Sequence, residues 1–206
     1  MRNNAASGRI FVEFFRHGSN ALIAGLLLGG AGIFLSGQVA LRAPAVALGL
    51  VIFFVSEYTT HRFFFHARPF AAGMVRRFQH RMHYDHHREP NRLDLLFLPP
   101  WFVAPVFALY GLAYYIITRD TAIAVSLLFG NLLGLLYYEW VHYVAHIPFV
   151  PLTPYGRWIK KYHLLHHFKN ERYWFGVTNP SMDVMGATLK ERAAVGRSAT
   201  VKDLFG

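Results

Sequence analysis

Ten of the twelve histidines in this 206-residue chain fall into four tight groups: His61/His66, His83/His86/His87, His142/His146 and His163/His166/His167. Neutral imidazole offers a lone pair near physiological pH, so several converging rings can hold a transition-metal ion. Ten rings are too many for one ion, and the number points to two ions side by side. In each HxxHH group, read as helix, the rings stand at i, i+3 and i+4 on one face, and His142 and His146 also share a face. His61 and His66 are five apart, about 140° around a 3.6-residue helix, and need a helix end or a distortion to converge. The order pair, triple, pair, triple is a repeat in chemistry rather than in sequence. His17 and His80 stand outside the groups and read as ordinary interfacial histidines.

The elements that must position these rings are apolar. Hydrophobic residues make up 54% of the chain and charged residues 16%, a membrane profile. A bilayer core needs about 20 residues of helix, and apolar runs with their polar ends predict spans near residues 19–37, 41–58, 97–118 and 121–141. The expected fold class is all-α integral membrane: four transmembrane helices with a cytosolic helical cap, residues 59–96 and 142–206, carrying a histidine-rich dimetal site. Residues 1–18 read as an interfacial helix with Ile10, Phe11, Phe14 and Phe15 as membrane anchors, and a cleaved signal peptide is not expected. Pro90, Pro99 and Pro100, then Pro148, Pro151 and Pro154, break the chain and let short helices fold back over the site. With no linker or low-complexity tract, residues 1–206 are expected to form one domain.

Charge supplies an orientation. The connections 38–42 and 119–120 carry two of the 21 Lys and Arg residues, Arg42 and Arg119. The side holding the remainder is expected to be cytoplasmic, together with both termini and all four histidine groups. The net charge of +10 suits anionic headgroups and an acidic redox partner. No nucleic-acid motif accompanies it, so nucleic acid is not an expected partner. Cysteine is absent, which excludes disulfides, thiolate-bound zinc and iron–sulfur clusters.

The segments EYTTHRFFFH (57–66), HYDHHREPNRLDLLFLPP (83–100), YEWVHYVAH (138–146) and KKYHLLHHFKNERYWFGVTNPSMD (160–183) resemble the fatty acid hydroxylase superfamily, and within it the fatty acid 2-hydroxylases. The resemblance covers residues 45–190 and assigns all ten grouped histidines as metal ligands. It implies oxygen-dependent insertion of one oxygen atom into a C–H bond of a lipid acyl chain, at C2. An unactivated C–H bond resists acid, base and nucleophile, so a redox metal is required. Two irons are expected, with O2 as co-substrate; zinc has no redox role but can occupy such a site in preparations.

Glu57, four before His61, and Glu139, three before His142, are candidates to orient imidazoles by accepting the second ring N–H. Asp183 matches the family's aromatic–Asp segment, and Tyr138 a family tyrosine bordering the oxygen or substrate pocket. The chain departs from the 2-hydroxylases at Glu139, where they carry Asp, at Met182 in place of tryptophan, and at Gly186-Ala187-Thr188 in place of FGT. The departures bear on the substrate pocket more than on the metal site. Eukaryotic relatives often carry an amino-terminal haem domain; none fits the first 20 residues, so a separate electron-donor protein is expected. Within the superfamily the alternatives are a sterol desaturase or a carotenoid ring hydroxylase. A membrane metal carrier is the alternative of another class, disfavoured because Ser126 and Asn131 are the few uncharged polar residues buried in the long spans.

Overall fold

Runs of Leu, Ala, Val and Phe with few charges can satisfy their backbone in a bilayer only as helices, and the described residues of this chain contain no strand. The computed structural model describes residues 2–68 and 73–204; the expected interfacial helix and cap also include residues 1, 69–72 and 205–206, which lie outside the described residues. The elements run α1 (Arg2–Arg16), α2 (Gly18–Leu35), α3 (Ala43–Thr60), a π turn (His61–Phe65), α4 (Met74–Gln79), a second π turn (His80–Tyr84) and α5 (Asp85–Arg88). They continue with α6 (Leu93–Leu96), α7 (Pro100–Thr118), α8 (Thr121–His146), α9 (Pro154–Phe168), α10 (Ser181–Met185) and a 3-10 turn (Arg192–Ala194). Four helical stretches are long and apolar enough to cross a membrane: Gly18–Leu35, Ala43–Phe65, Leu93–Thr118 and Thr121–His146. The chain divides into two compact units, Met1–Phe53 with Phe97–Trp140, and Phe54–Leu96 with Val141–Gly206.

The second unit carries all ten grouped histidines. Its first π turn closes a five-residue hydrogen-bonded ring, His66 N–H donating to His61 O at 3.1 Å, and so supplies the distortion that the five-residue spacing demands. After α8 ends at His146 the chain breaks at Pro148 and Pro151. Thr153 then caps α9, its Oγ1 accepting the Gly156 N–H at 3.0 Å, with Pro154 in the first turn. Lys160 on α9 donates from Nζ to the carbonyls of Val144, Ile147 and Phe149 at 2.9, 2.6 and 2.9 Å. These are carbonyls at and just beyond the end of α8, where helical partners run out and a cation is favoured. Lys160 therefore sets the register of α9 against α8, a use that its place in a basic segment does not announce.

In the first unit, α3 and α8 touch backbone to backbone. A Cβ on Gly49 would lie 2.1 Å from Leu127 O, and one on Gly130 would lie 2.1 Å from Val46 O, so the crossing tolerates only glycine. Beside it, Tyr114 Oη donates to Asn131 Oδ1 at 2.9 Å, and Asn131 Nδ2 donates to Gly49 O. Ser126 Oγ accepts the Arg42 N–H at 3.0 Å. The two buried polar residues of the long helices thus tie helices together. Phe14 differs from its expected place as a membrane anchor: it is buried at 1% exposure and packs edge-on against Phe97 and Trp140. It anchors α1 to the protein, while Phe11 and Phe15 remain exposed. Replacing Gly130 by alanine is expected to cost about 3 kcal/mol, since the Val46 backbone cannot yield as a flexible side chain would. Thermal unfolding of the variant in detergent checks this, and an unchanged midpoint would contradict the close crossing.

Candidate metal centre

The ten histidines gather into two groups of five: His61, His66, His83, His87 and His166; and His86, His142, His146, His163 and His167. In each group one ligand-capable nitrogen per ring lies within 4.8 Å of all the others. Each group takes one pair, the i and i+4 rings of the triple that follows it, and the i+3 ring of the other triple. On an α-helix i and i+4 differ by about 40°, and i+3 lies about 60° to the other side of i. One triple therefore faces two neighbouring points, and the single face expected from spacing is shared between two centres. All but His66, which is half-buried, are buried.

Hydrogen bonds fix how the first group presents its nitrogens. His61 Nδ1 lies 2.5 Å from Phe175 O, His166 Nδ1 2.8 Å from Tyr173 O, and His87 Nδ1 3.0 Å from Val201 O. A carbonyl only accepts, so each Nδ1 carries the proton and each Nε2 of a neutral ring carries a lone pair. The Nε2 atoms run in a chain: His61 to His83 at 3.2 Å, His83 to His66 at 2.7 Å, His66 to His166 at 3.0 Å. Satisfying the lone pairs of His61 and His166 would require protons on the Nε2 of both His83 and His66, which would then face each other. No assignment of protons on four neutral rings satisfies all three contacts. A cation at the centre does, because five lone pairs can then point inward.

The distances fit the same reading. Imidazole nitrogens bind such ions at about 2.0–2.1 Å, which places neighbours at right angles about 2.9 Å apart and opposed ligands about 4.2 Å apart. In the second group His142 Nε2 lies 3.0 Å from His86 Nε2, and His146 Nε2 lies 3.0 Å from His163 Nε2. Its rings are held by one another, with centroid separations of 4.7 Å for His86/His146 and 4.6 Å for both His146/His167 and His163/His167. The donor set of both groups fits borderline transition metals such as iron or zinc.

The carbonyls that take His61 and His166 belong to a loop clamped by two carboxylates. Glu57 Oε1 accepts the N–H groups of Val177 and Thr178 at 2.6 and 2.9 Å, and its Oε2 accepts the Thr178 hydroxyl at 2.5 Å. Asp183 accepts the N–H groups of Phe175 and Gly176 at 2.9 and 2.7 Å and the Thr188 hydroxyl at 2.7 Å. Four consecutive N–H groups are thereby fixed from one side, while the Phe175 carbonyl holds His61. Gly176 is required, because a Cβ there would lie 2.1 Å from Asn179 O. Trp174 takes a left-handed backbone at φ 59°, strained for a bulky residue. It is held by burial and by its indole N–H donating to Lys190 O at 2.9 Å. Its strained turn separates the two carbonyls, of Tyr173 and Phe175, that orient histidines.

The remaining candidates are placed as follows. Glu57 and Asp183 reach the rings through the loop backbone rather than by accepting an imidazole N–H. Glu139 is fully buried in the first unit, where its Oε1 accepts the Leu98 N–H at 3.1 Å. Tyr138 packs edge-on against Phe53, with centroids 6.2 Å apart. His80 bonds Asp85 at 3.2 Å and His17 bonds Ser19 at 2.8 Å, both outside the two groups. The orienting carbonyls of Tyr173, Phe175 and Val201 went unseen in the sequence, since a backbone oxygen has no residue signature.

A family model described as fatty acid hydroxylase matches residues 46–188. The dihydroceramide fatty acyl 2-hydroxylase FAH1 of Arabidopsis thaliana is 34% identical over 147 residues, 71% of this chain and 60% of that protein. The fatty acid 2-hydroxylase of Rattus norvegicus is 32% identical over 143 residues, 69% of this chain and 38% of that protein. The chain thus spans less than two thirds of the length of these relatives. A solved structure described as full-length scs7p with only the hydroxylase domain visible shares the fold, with a TM-score of 0.74 at 24% identity over 87% of this chain and 68% of that one.

Burial, reinforced by neighbouring rings, holds His66, His83, His86, His163, His166 and His167 well below the usual histidine range. Burial also lowers His87 to about 3, against the Val201 hydrogen bond, which raises it. Below about 6.5 the unfolded chain takes up protons that these folded rings refuse. Their contribution to stability is therefore complete above that pH and is lost as the pH falls through the folded values. Metal-free protein is expected to unfold at a lower temperature at pH 5 than at pH 8; equal midpoints would refute the burial argument.

Proposed function

Because the chain belongs to the fatty acid hydroxylase family, we propose that it is a membrane-bound oxygenase that uses O2 and two metal ions to hydroxylate a lipid acyl chain, at C2. Iron is the proposed metal, with electrons arriving from a separate donor protein. The convergence of ten imidazoles on two points carries this reading. Two redox-active ions held there would supply the reduction of dioxygen and the oxidation of a C–H bond that no side chain can attack.

The chain's own residues bind, orient and exclude water. The Nε2 lone pairs bind, the Tyr173 and Phe175 carbonyls keep the Nδ1 protons of His166 and His61 in place, and Glu57 and Asp183 keep those carbonyls still. A cavity of about 390 Å³ reaches His66. Its apolar wall of Phe63, Phe175 and Leu204, with Arg62 and Arg172 on its polar side, supports entry by an amphipathic ligand.

Expressed in a lipid-producing host with a competent electron donor, the chain is expected to yield 2-hydroxy acyl lipids under oxygen. His86→Ala and His166→Ala, each removing the ring that one triple lends to the other group, are expected to abolish the product and lower bound metal. Mass spectrometry finding no oxygenated acyl product from the wild-type chain would refute the assigned reaction.

The same reading places both termini and the metal centre in the cytoplasm, supported by the scarcity of Lys and Arg in connections 38–42 and 119–120. The native chain has no cysteine, so single introduced cysteines report directly. Arg119→Cys is expected to react with an impermeant thiol reagent added outside intact cells, and Arg197→Cys to be protected; the reverse pattern would invert the topology.

A further inference from the structure

Residues 198–204 have no regular secondary structure and lie beyond the stretch shared with the family, yet they are fastened at several points. Val201 and Leu204 are buried. Glu171, 5% exposed and three residues past the end of α9, accepts the hydroxyls of Ser198 at 2.9 Å and Thr200 at 2.7 Å on one oxygen. The Ser198 N–H donates to Lys169 O at 2.8 Å. At the far end Arg88, the residue after His87, donates from Nε and Nη2 to Asp203 Oδ1 at 2.9 and 2.5 Å. Between these fastenings the Val201 carbonyl receives the His87 Nδ1–H at 3.0 Å.

We infer that residues 198–204 form a strap whose Val201 carbonyl orients His87 as a ligand of the first histidine group, with Glu171 and Asp203 as its positioning residues. The geometry is selective. Val201 contacts the one ring of the first triple that has a carbonyl partner, and every fastening lies beside a histidine-bearing helix: Glu171 and Lys169 follow α9, and Arg88 ends α5. Two helices thereby hold an irregular segment at its ends so that one carbonyl in its middle stays fixed. In this arrangement the Arg88–Asp203 pair, half-exposed on both sides, matters for where it puts Val201 more than for its own attraction, which solvent screens. A metal-bound imidazole depends on the acceptor of its second nitrogen, and loss of such a partner typically costs 10- to 100-fold in metal affinity. The expected consequence is confined to the first group, because the ring that the strap's Val201 carbonyl holds, His87, belongs to that group.

The test uses zinc(II) as probe with the purified chain in detergent, counting bound zinc per chain and measuring each affinity by chelator competition. The wild-type chain is expected to hold two ions. A chain ending at Arg197, and separately the full-length Ser198→Ala/Thr200→Val variant, are expected to weaken one ion about 10- to 100-fold and leave the other unchanged. In a His87→Ala background the strap changes are expected to cost nothing more, which distinguishes orientation of His87 from general loosening. If the shortened chain fails to fold, the double variant carries the test. Two unchanged affinities, equal weakening of both ions, or a further loss in the His87→Ala background would each overturn the strap. A wild-type chain that binds fewer than two zinc ions would instead overturn the dimetal reading on which the strap rests.

Discussion

Ten imidazole nitrogens aimed inward at two points are the constraint on which the rest of this structure depends. Neutral rings facing one another at 2.7–3.2 Å cannot all be satisfied by protons, and each loses hydration on burial. The arrangement stands because other bonds hold the rings from behind. In the first group backbone carbonyls take the outer nitrogens of His61, His87 and His166; in the second the rings pack against one another. The carboxylates of Glu57 and Asp183 act one step further out, where each holds two adjacent N–H groups of a single loop and one threonine hydroxyl. A buried carboxylate is costly unless fully hydrogen-bonded, and at both positions two of the hydrogen bonds come from the backbone that must not move.

The exchange of one ring between the two triples joins the centres mechanically. His87 of the first group lies flat on His167 of the second, with centroids 4.2 Å apart and an interplanar angle of 22°. A shift of α9 therefore moves rings in both groups, and Lys160, gripping the end of α8, limits that shift. The glycine crossing of α3 and α8 has the same character within the first unit, since it fixes a helix pair at the closest separation that backbones allow.

Much of this is legible in the residues. Composition and run length disclose the four apolar helices, and histidine spacing discloses which ten rings gather and that they form two groups. The five-residue gap between His61 and His66 foretells a distortion, which proves to be a π turn. What spacing does not disclose is the partition, because the same 60° offset that puts His86 and His166 near their neighbours also lets them face the other centre. The roles of Glu57 and Asp183 are half-legible: acids near histidines suggest orienters, but whether they act on a ring or on a loop depends on where residues 173–178 fold. The burial of Phe14 is not legible in sequence, because an amphipathic helix looks alike whether lipid or protein covers its apolar face.

The swapped ring also orders events during synthesis. A chain is made from its amino end, and the first group lacks a member until His166 has emerged, although its other four rings lie between residues 61 and 87. The second group is complete one residue later, at His167. Neither group has its full set of five rings while the chain is short, and the two are completed within one residue of each other. On the dimetal reading, filling both five-ring sites is thus a step that synthesis through His167 must precede.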